Sequence, residues 1–269
     1  MSTLPAFSLV RPTTLDDALA AIGDDAMPYA GGTEALVAMR AGLLRPPVLV
    51  DLKRLSELSR VEVVGWTLRI GATATHEDVA RHTATADGHP MLASVLRRVG
   101  NARVRAQGTL GGNVCFAEPR SDVATALVAL GASVVLRSTR GERSLPVEDF
   151  VLGPFTTDRE PDELLVRIDV PMPGPDRATY VKYQVAERPT VGVAAVERRN
   201  GGRPRRRVVV GAVSECPLVF DEDDAGEIDA EAVAASVEPI PDLTGSEEYK
   251  RHLTAVYVRR ALASLDGGA

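Results

Sequence analysis

Two stretches decide how this chain is read: YAGGTE at residues 29–34 and TLGGN at residues 109–113. Each places a Gly-Gly pair beside an apolar or small-residue run, in an expected loop. Glycine lacks a Cβ, so its backbone can approach a ligand closely and adopt positive φ. Successive backbone N–H groups in such a bend converge on an anion, a phosphate above all. A single Gly-Gly pair is ordinarily a plain turn. Two pairs, flanked by Thr33, Thr109 and Asn113, match the two phosphates of a diphosphate. Around the first, residues 27–30 read as a short strand, and 34–41 have helical spacing with Ala35, Leu36 and Met39 on one side. Strand, glycine bend and helix start together form a common anion-holding unit. The absence of G-x-G-x-x-G and of a Walker lysine argues against a Rossmann start and a P-loop.

Working outward, residues 7–11 read as a strand, Thr13-Thr14 cap a helix over 15–22, and VLVD at 48–51 is a buried strand. A hairpin joins 61–64 to 67–70 through Gly65-Trp66. Helices follow at 76–82 and 91–99, while 100–108, with Arg103 and Arg105, reads as a loop. Ser121-Asp122 start a helix over 123–130. A second hairpin joins 133–137 to 141–146, and 164–170 is the next strand. PMPGP at 171–175 marks a linker. Beyond it, 178–184, 192–198 and 207–214 read as three antiparallel strands, with the basic turn 198–207 as a solvated hairpin tip. Residues 230–237 and 246–265 are helical. In the second of these Tyr249, Leu253, Val256 and Ala261 share a face, and Lys250, Arg259 and Arg260 lie mostly outside it.

Composition narrows the function. The 269 residues allow two domains with proper cores, and 45% hydrophobic with 25% charged residues is ordinary for a globular protein. A net charge of −6 argues against nucleic acid as a partner, and 4% aromatics leave little for base stacking. Two cysteines, Cys115 and Cys216, cannot alone make a four-ligand zinc or iron–sulfur site, and they point to a reducing, cytoplasmic setting. The start, MSTLPAFSLVRP, lacks the pattern of a secretory signal, and no stretch is long enough to span a bilayer. Thr33, Thr75 and Thr109 carry hydroxyls that can donate to phosphate oxygens. Asp122 either accepts from a ribose hydroxyl or is a plain neighbour of the helix cap. His76 reads as a surface residue, and Cys115 as a small buried hydrophobe. Glu118 and Asp122 are separated by Arg120 and Ser121, which favours local pairing over acid–base catalysis. Lys182, in VKYQ, either reaches an anion or ring edge or is an exposed strand position.

YAGGTE (29–34), VLVD (48–51), IGATATH (70–76), VRAQGTLGGN (104–113), SDVATAL (121–127), ELLVRIDV (163–170) and HLTAVYVRRA (252–261) follow in that order. Together they resemble the FAD-binding medium subunit of molybdenum hydroxylases, the carbon monoxide dehydrogenase and xanthine dehydrogenase family. The resemblance implies an α+β fold. A two-subdomain FAD-binding domain of the vanillyl-alcohol-oxidase-like (PCMH) type would cover 1–172, with subdomains of about 1–55 and 56–172. A small C-terminal domain, 173–269, would carry a three-stranded antiparallel sheet and helices. The resemblance also implies non-covalent FAD. Ala30, Gly31, Gly32, Thr33 and Glu34 would hold it in the first bend, and Thr109, Gly111, Gly112 and Asn113 in the second. Thr75 would lie near the flavin or diphosphate, Ser121 and Asp122 near the adenosine half, and Leu164 and Lys182 along the flavin. No metal ligand is implied on this chain. Molybdopterin and [2Fe–2S] clusters would belong to a large and a small partner subunit, and this chain would pass electrons to an external acceptor. Two departures stand out: Arg105-Ala106 where relatives carry Arg-Asn, and Glu187-Arg188-Pro189-Thr190 where they often carry an acidic or aromatic residue near the flavin. A free-standing flavin oxidoreductase working without molybdenum, and a binding subunit without flavin, are the other readings.

Overall fold

Short helices link the first three strands, and a parallel pair needs such a crossover. β1 (Ser8–Val10), β2 (Ala26–Tyr29) and β3 (Val48–Asp51) are joined by helices Leu15–Ala21 and Ala35–Arg40. They pair in the order β1-β3-β2, both neighbours parallel to β3. The computed structural model describes residues 3–185, 187–199, 203–222 and 227–267. The Thr14 hydroxyl caps the first helix by accepting from the Asp17 N–H at 3.1 Å.

The second sheet is antiparallel throughout. It contains β4 (Val61–Val64), β5 (Thr67–Gly71), β6 (Ser133–Ser138), β7 (Gly141–Pro146) and, after the small hairpin of β8 (Val151–Gly153) and β9 (Thr156–Thr157), β10 (Leu164–Pro171). The order is β4-β5-β10-β6-β7. Period-two alternation gives each face its own core. Leu68, Ile70, Val134, Leu136, Ile168 and Val170 pack with Leu92, Leu96, Leu110, Val114, Leu127 and Leu130 from helices Pro90–Arg97, Leu110–Phe116 and Asp122–Leu130. On the other face Val135, Leu164 and Val166 meet Ala18, Leu19, Val50 and Leu52.

The third sheet runs in sequence order, β11 (Arg177–Gln184), β12 (Pro189–Arg198), β13 (Arg205–Gly211) and β14 (Leu218–Asp221). It therefore has four strands among the described residues, not the three expected. β14 is a four-residue run after Pro217, too short to show a period. β12 is buried along nearly its whole length. Val191, Val193 and Ala195 face helices Ala230–Ser236 and Glu247–Asp266, while Ala194 and Val196 join the core around Leu127. The tip of the basic turn, 200–202, lies outside the described residues.

Three further expectations change. Residues 100–108 are not a loop: Ala102–Gln107 is a helix, capped by Asn101, whose Oδ1 accepts from the N–H groups of Arg103 and Val104. The second glycine pair is not in a loop either but in the first turn of helix Leu110–Phe116. In the last helix the inward face is set differently. Tyr249 is 40% exposed, whereas Lys250 is 1% exposed, its Nζ donating to the Ile240 carbonyl at 2.7 Å and lying 2.9 Å from Asp242. Apolar periodicity cannot reveal a buried lysine.

Candidate functional site

The first bend leaves β2 and enters helix Ala35–Arg40. Gly32 has φ +70°, and the Tyr29 ring stands over it, so that a Cβ would come within 2.6 Å of the ring. A Cβ on Gly31 would collide with the carbonyl oxygen of Gln107. Glycine here lets the first bend touch the segment that precedes the second. Gly108 is wedged in the same place, where a Cβ would lie 3.1 Å from the His76 ring and 3.2 Å from Thr33 Oγ1. Two stretches 75 residues apart in sequence thus meet, as 108 minus 33 gives. Among the described residues, none accepts a hydrogen bond from the backbone N–H of Gly31, Gly32, Thr33 or Glu34. Four consecutive donors without a protein acceptor make an anion cradle.

The second stretch is built differently. Its N–H groups from Leu110 to Asn113 all have acceptors: Leu110 donates to Ala74 O (3.0 Å), Gly111 to Ala72 O (3.0 Å), Gly112 to Thr109 Oγ1 (3.1 Å) and Asn113 to Thr109 O (3.0 Å). Thr75 and Thr109 face each other across an isolated antiparallel bridge. A Cβ on Gly111 would lie 2.7 Å from the Ala72 Cβ, so packing requires that glycine. Gly112 is exposed, and a Cβ there would meet Thr109 Oγ1 at 2.8 Å and, outside its own helix backbone and chain neighbours, nothing else within 4 Å among the described residues.

The polar side chains expected here are largely helix caps. Thr75 Oγ1 accepts from the Asp78 N–H (3.1 Å) and donates to Asp78 Oδ2 (2.6 Å). Ser121 Oγ accepts from the Ala124 N–H (3.3 Å) and donates to Asn113 Oδ1 (2.7 Å), tying the two helix starts together. Asp122 accepts from the Tyr180 hydroxyl (2.5 Å) and from Lys182 Nζ (2.7 Å). Lys182 therefore faces inward from β11, opposite Gly192, whose missing side chain makes room for the Tyr180 hydroxyl. Burial first, and then the Asp122 charge, push the Tyr180 phenol well above its usual range, so it stays a donor. The Glu34 carboxylate accepts from Arg188 at 2.6 Å. Leu164 is buried with Val50, Leu52 and Val166 beneath the first sheet.

Sequence reasoning placed His76 at the surface, and the structure corrects this. It is 2% exposed, its Nδ1 has no partner among the described residues, and burial lowers its pKa to about 4. The signal was present in the alternation Ala72, Ala74, His76, all three buried. Tyr180 and Arg188 were also missed, because their partners lie 58 and 154 residues away. Two arginine-rimmed cavities, of 580 and 840 Å³, contain no residue of either bend. Among the described residues no group of three or more His, Cys, Asp or Glu is placed to hold a metal, and no helix is long and apolar enough to cross a membrane.

Comparison with known proteins agrees with this architecture. The FAD binding domain in molybdopterin dehydrogenase matches residues 5–173. The chain is 30% identical to the glyceraldehyde dehydrogenase medium chain of Sulfolobus acidocaldarius, over 96% of this chain and 97% of the relative. It is 28% identical to the carbon monoxide dehydrogenase medium chain of Hydrogenophaga pseudoflava, over 96% of both. Among solved structures, quinoline 2-oxidoreductase from Pseudomonas putida 86 superposes with a TM-score of 0.89 at 30% identity, covering 99% of each chain. With the family's match spanning more than half of its length, this chain belongs to the FAD-binding domain family of the molybdopterin dehydrogenases, a family of oxidoreductases.

Proposed function

We propose that the chain is the FAD-binding, electron-transfer subunit of a molybdenum hydroxylase. It would receive electrons from [2Fe–2S] clusters on a small partner subunit and pass them to an external acceptor, with molybdopterin on a large partner subunit. The observation that carries this reading is the row of four N–H donors at Gly31–Glu34 with no acceptor among the described residues, pressed against Gln107 and Gly108 just before the second glycine helix. Those donors fit a diphosphate. Support for the complex comes from the relatives, which are named as medium chains or subunits of dehydrogenases. Two free, half-buried cysteines accord with clusters held elsewhere and with a cytoplasmic setting.

Bound FAD supplies the redox chemistry, and the chain supplies binding, orientation and electrostatics. Ala30, Gly31, Gly32, Thr33 and Glu34 would hold the diphosphate through backbone N–H groups. Thr109, Gly111, Gly112 and Asn113 would form the opposite wall, where the bare surface of Gly112 admits the ligand. Thr75, Ser121 and Asp122 would fix that wall as caps and anchors, the last two beside the adenosine half. Leu164 would supply apolar lining, and Lys182, anchored on Asp122, would lie along the flavin. The match ending at residue 173 and the separate third sheet support a FAD-binding domain over 1–172 and a C-terminal domain over 173–269. The two cores on either face of the second sheet support subdomains of about 1–55 and 56–172.

Titration of the purified chain with FAD, read by quenching of flavin fluorescence, tests the cofactor. Saturable one-to-one binding is expected, together with co-purification of a large molybdenum subunit and a small iron–sulfur subunit from the native source. Protein that stays colourless in excess FAD overturns the reading. Steady turnover of a small substrate by this chain with FAD and no metal would replace it with a free-standing oxidoreductase.

A further inference from the structure

Arg188 stands just before β12, in the third sheet, yet its guanidinium reaches the first bend. Nη2 donates to Glu34 Oε1 at 2.6 Å, and Nε lies 3.8 Å from Glu118 Oε2. The series continues with alternating sign. Glu118 lies 3.3 Å from Arg120, Arg120 lies 3.9 Å from Asp242, and Asp242 lies 2.9 Å from Lys250. Three carboxylates and three cations thus join the first bend to the last helix with no net charge. Glu34 occupies a peculiar place in that series. Its N–H is one of the four unpartnered donors, so its carboxylate hangs from the backbone proposed to hold a dianion. Unpaired, that carboxylate would repel the ligand its own backbone attracts.

We infer that Arg188 is a positioning residue of the cofactor site, which turns the Glu34 carboxylate away from the diphosphate and cancels its charge. The inference rests on the proposed function. It means that the third sheet contributes to cofactor binding through a residue that need touch no cofactor atom. The Arg188 and Glu34 side chains are 29% and 34% exposed, so the pair itself adds little to folding stability. Its effect falls on the anion.

A charge cycle in the full-length chain tests this. FAD dissociation constants are measured for wild type, Arg188→Gln, Glu34→Gln and the double variant, with apo melting curves as the control. Affinity should follow the local charge. Glu34→Gln binds more tightly than wild type, Arg188→Gln binds roughly tenfold more weakly, and the double variant returns to the wild-type range. Arg188→Lys keeps most of the affinity, and the spread narrows as salt is raised from about 0.05 to 0.5 M. Wild-type affinity in Arg188→Gln overturns the inference. So does a loss that persists undiminished in the Glu34→Gln background, since Arg188 would then act on the ligand directly or on the fold. Absence of FAD binding by the wild type is a different result and would sink the proposed function instead.

Discussion

In the first bend the backbone N–H groups of Gly31 to Glu34 have no acceptor among the described residues; in the second, those of Leu110 to Asn113 are all held by Ala72, Ala74 and Thr109. The same letter pair, Gly-Gly, therefore does two jobs. In the first it bends the chain through positive φ and leaves donors open. In the second it opens a helix, packs one glycine on Ala72 and leaves the other bare at the surface. Glycine marks close approach in both, but what approaches differs: the chain itself at Gly31 and Gly111, and in our reading the ligand at Gly112.

The harshest way to break this comparison is Gly31→Val. Its side chain would meet the Gln107 carbonyl, a backbone atom with nowhere to go. Loss of more than about 4 kcal/mol, or no soluble protein, is expected in urea denaturation. A stable Gly31→Val would show that the two stretches need not touch.

Acid probes the same junction through His76. Its pKa is lowered to about 4 by burial, from an ordinary value near 6.5, so the unfolded chain takes up the proton first. Stability is full above pH 6.5 and is lost as pH falls toward 4, by up to about 3 kcal/mol. His89, lowered to about 4 mainly by burial, adds a loss of the same sign. Denaturation at pH 7 and 4.5 should show a smaller drop for His76→Gln than for wild type. Equal drops would mean that His76 titrates normally.

Gly112→Ala sharpens the contrast from the other side. The new methyl meets the Thr109 hydroxyl alone, and alanine suits a helix better than glycine, so the fold should persist. FAD binding should weaken at least tenfold, about 1.4 kcal/mol. Unaltered affinity would reduce the second bend to a packing device. The smallest effect belongs to Thr109→Ala, which removes the cap on Gly112 and should cost about 1 kcal/mol by chemical denaturation. No change in stability would argue against the cap.

Much of the fold was legible because its signals are local. The strand, bend and helix around Gly31, the hairpin at Gly65-Trp66 and the Ser121 cap each depend on residues within a few positions of one another. The second bend was misread because Gly111 and Gly112 are poor helix formers, and it took the Thr109 cap and the Ala72 contact to override them. Which donors stay free could not be read at all, since that depends on where Ala72 and Ala74 come to lie. The pairs of Asp122 with Lys182 and of Glu34 with Arg188 span 60 and 154 residues. A lone charge in a sequence carries no mark of a partner so far away.

Helix Asp122–Leu130 is buried from Val123 to its end, between the second and third sheets. Such a rod cannot be handed to one half of the molecule without wetting its other side. Cleaving the polypeptide at the PMPGP junction and discarding the later piece should therefore yield inclusion bodies, not a smaller yellow protein. The halves are therefore bound to be inherited together.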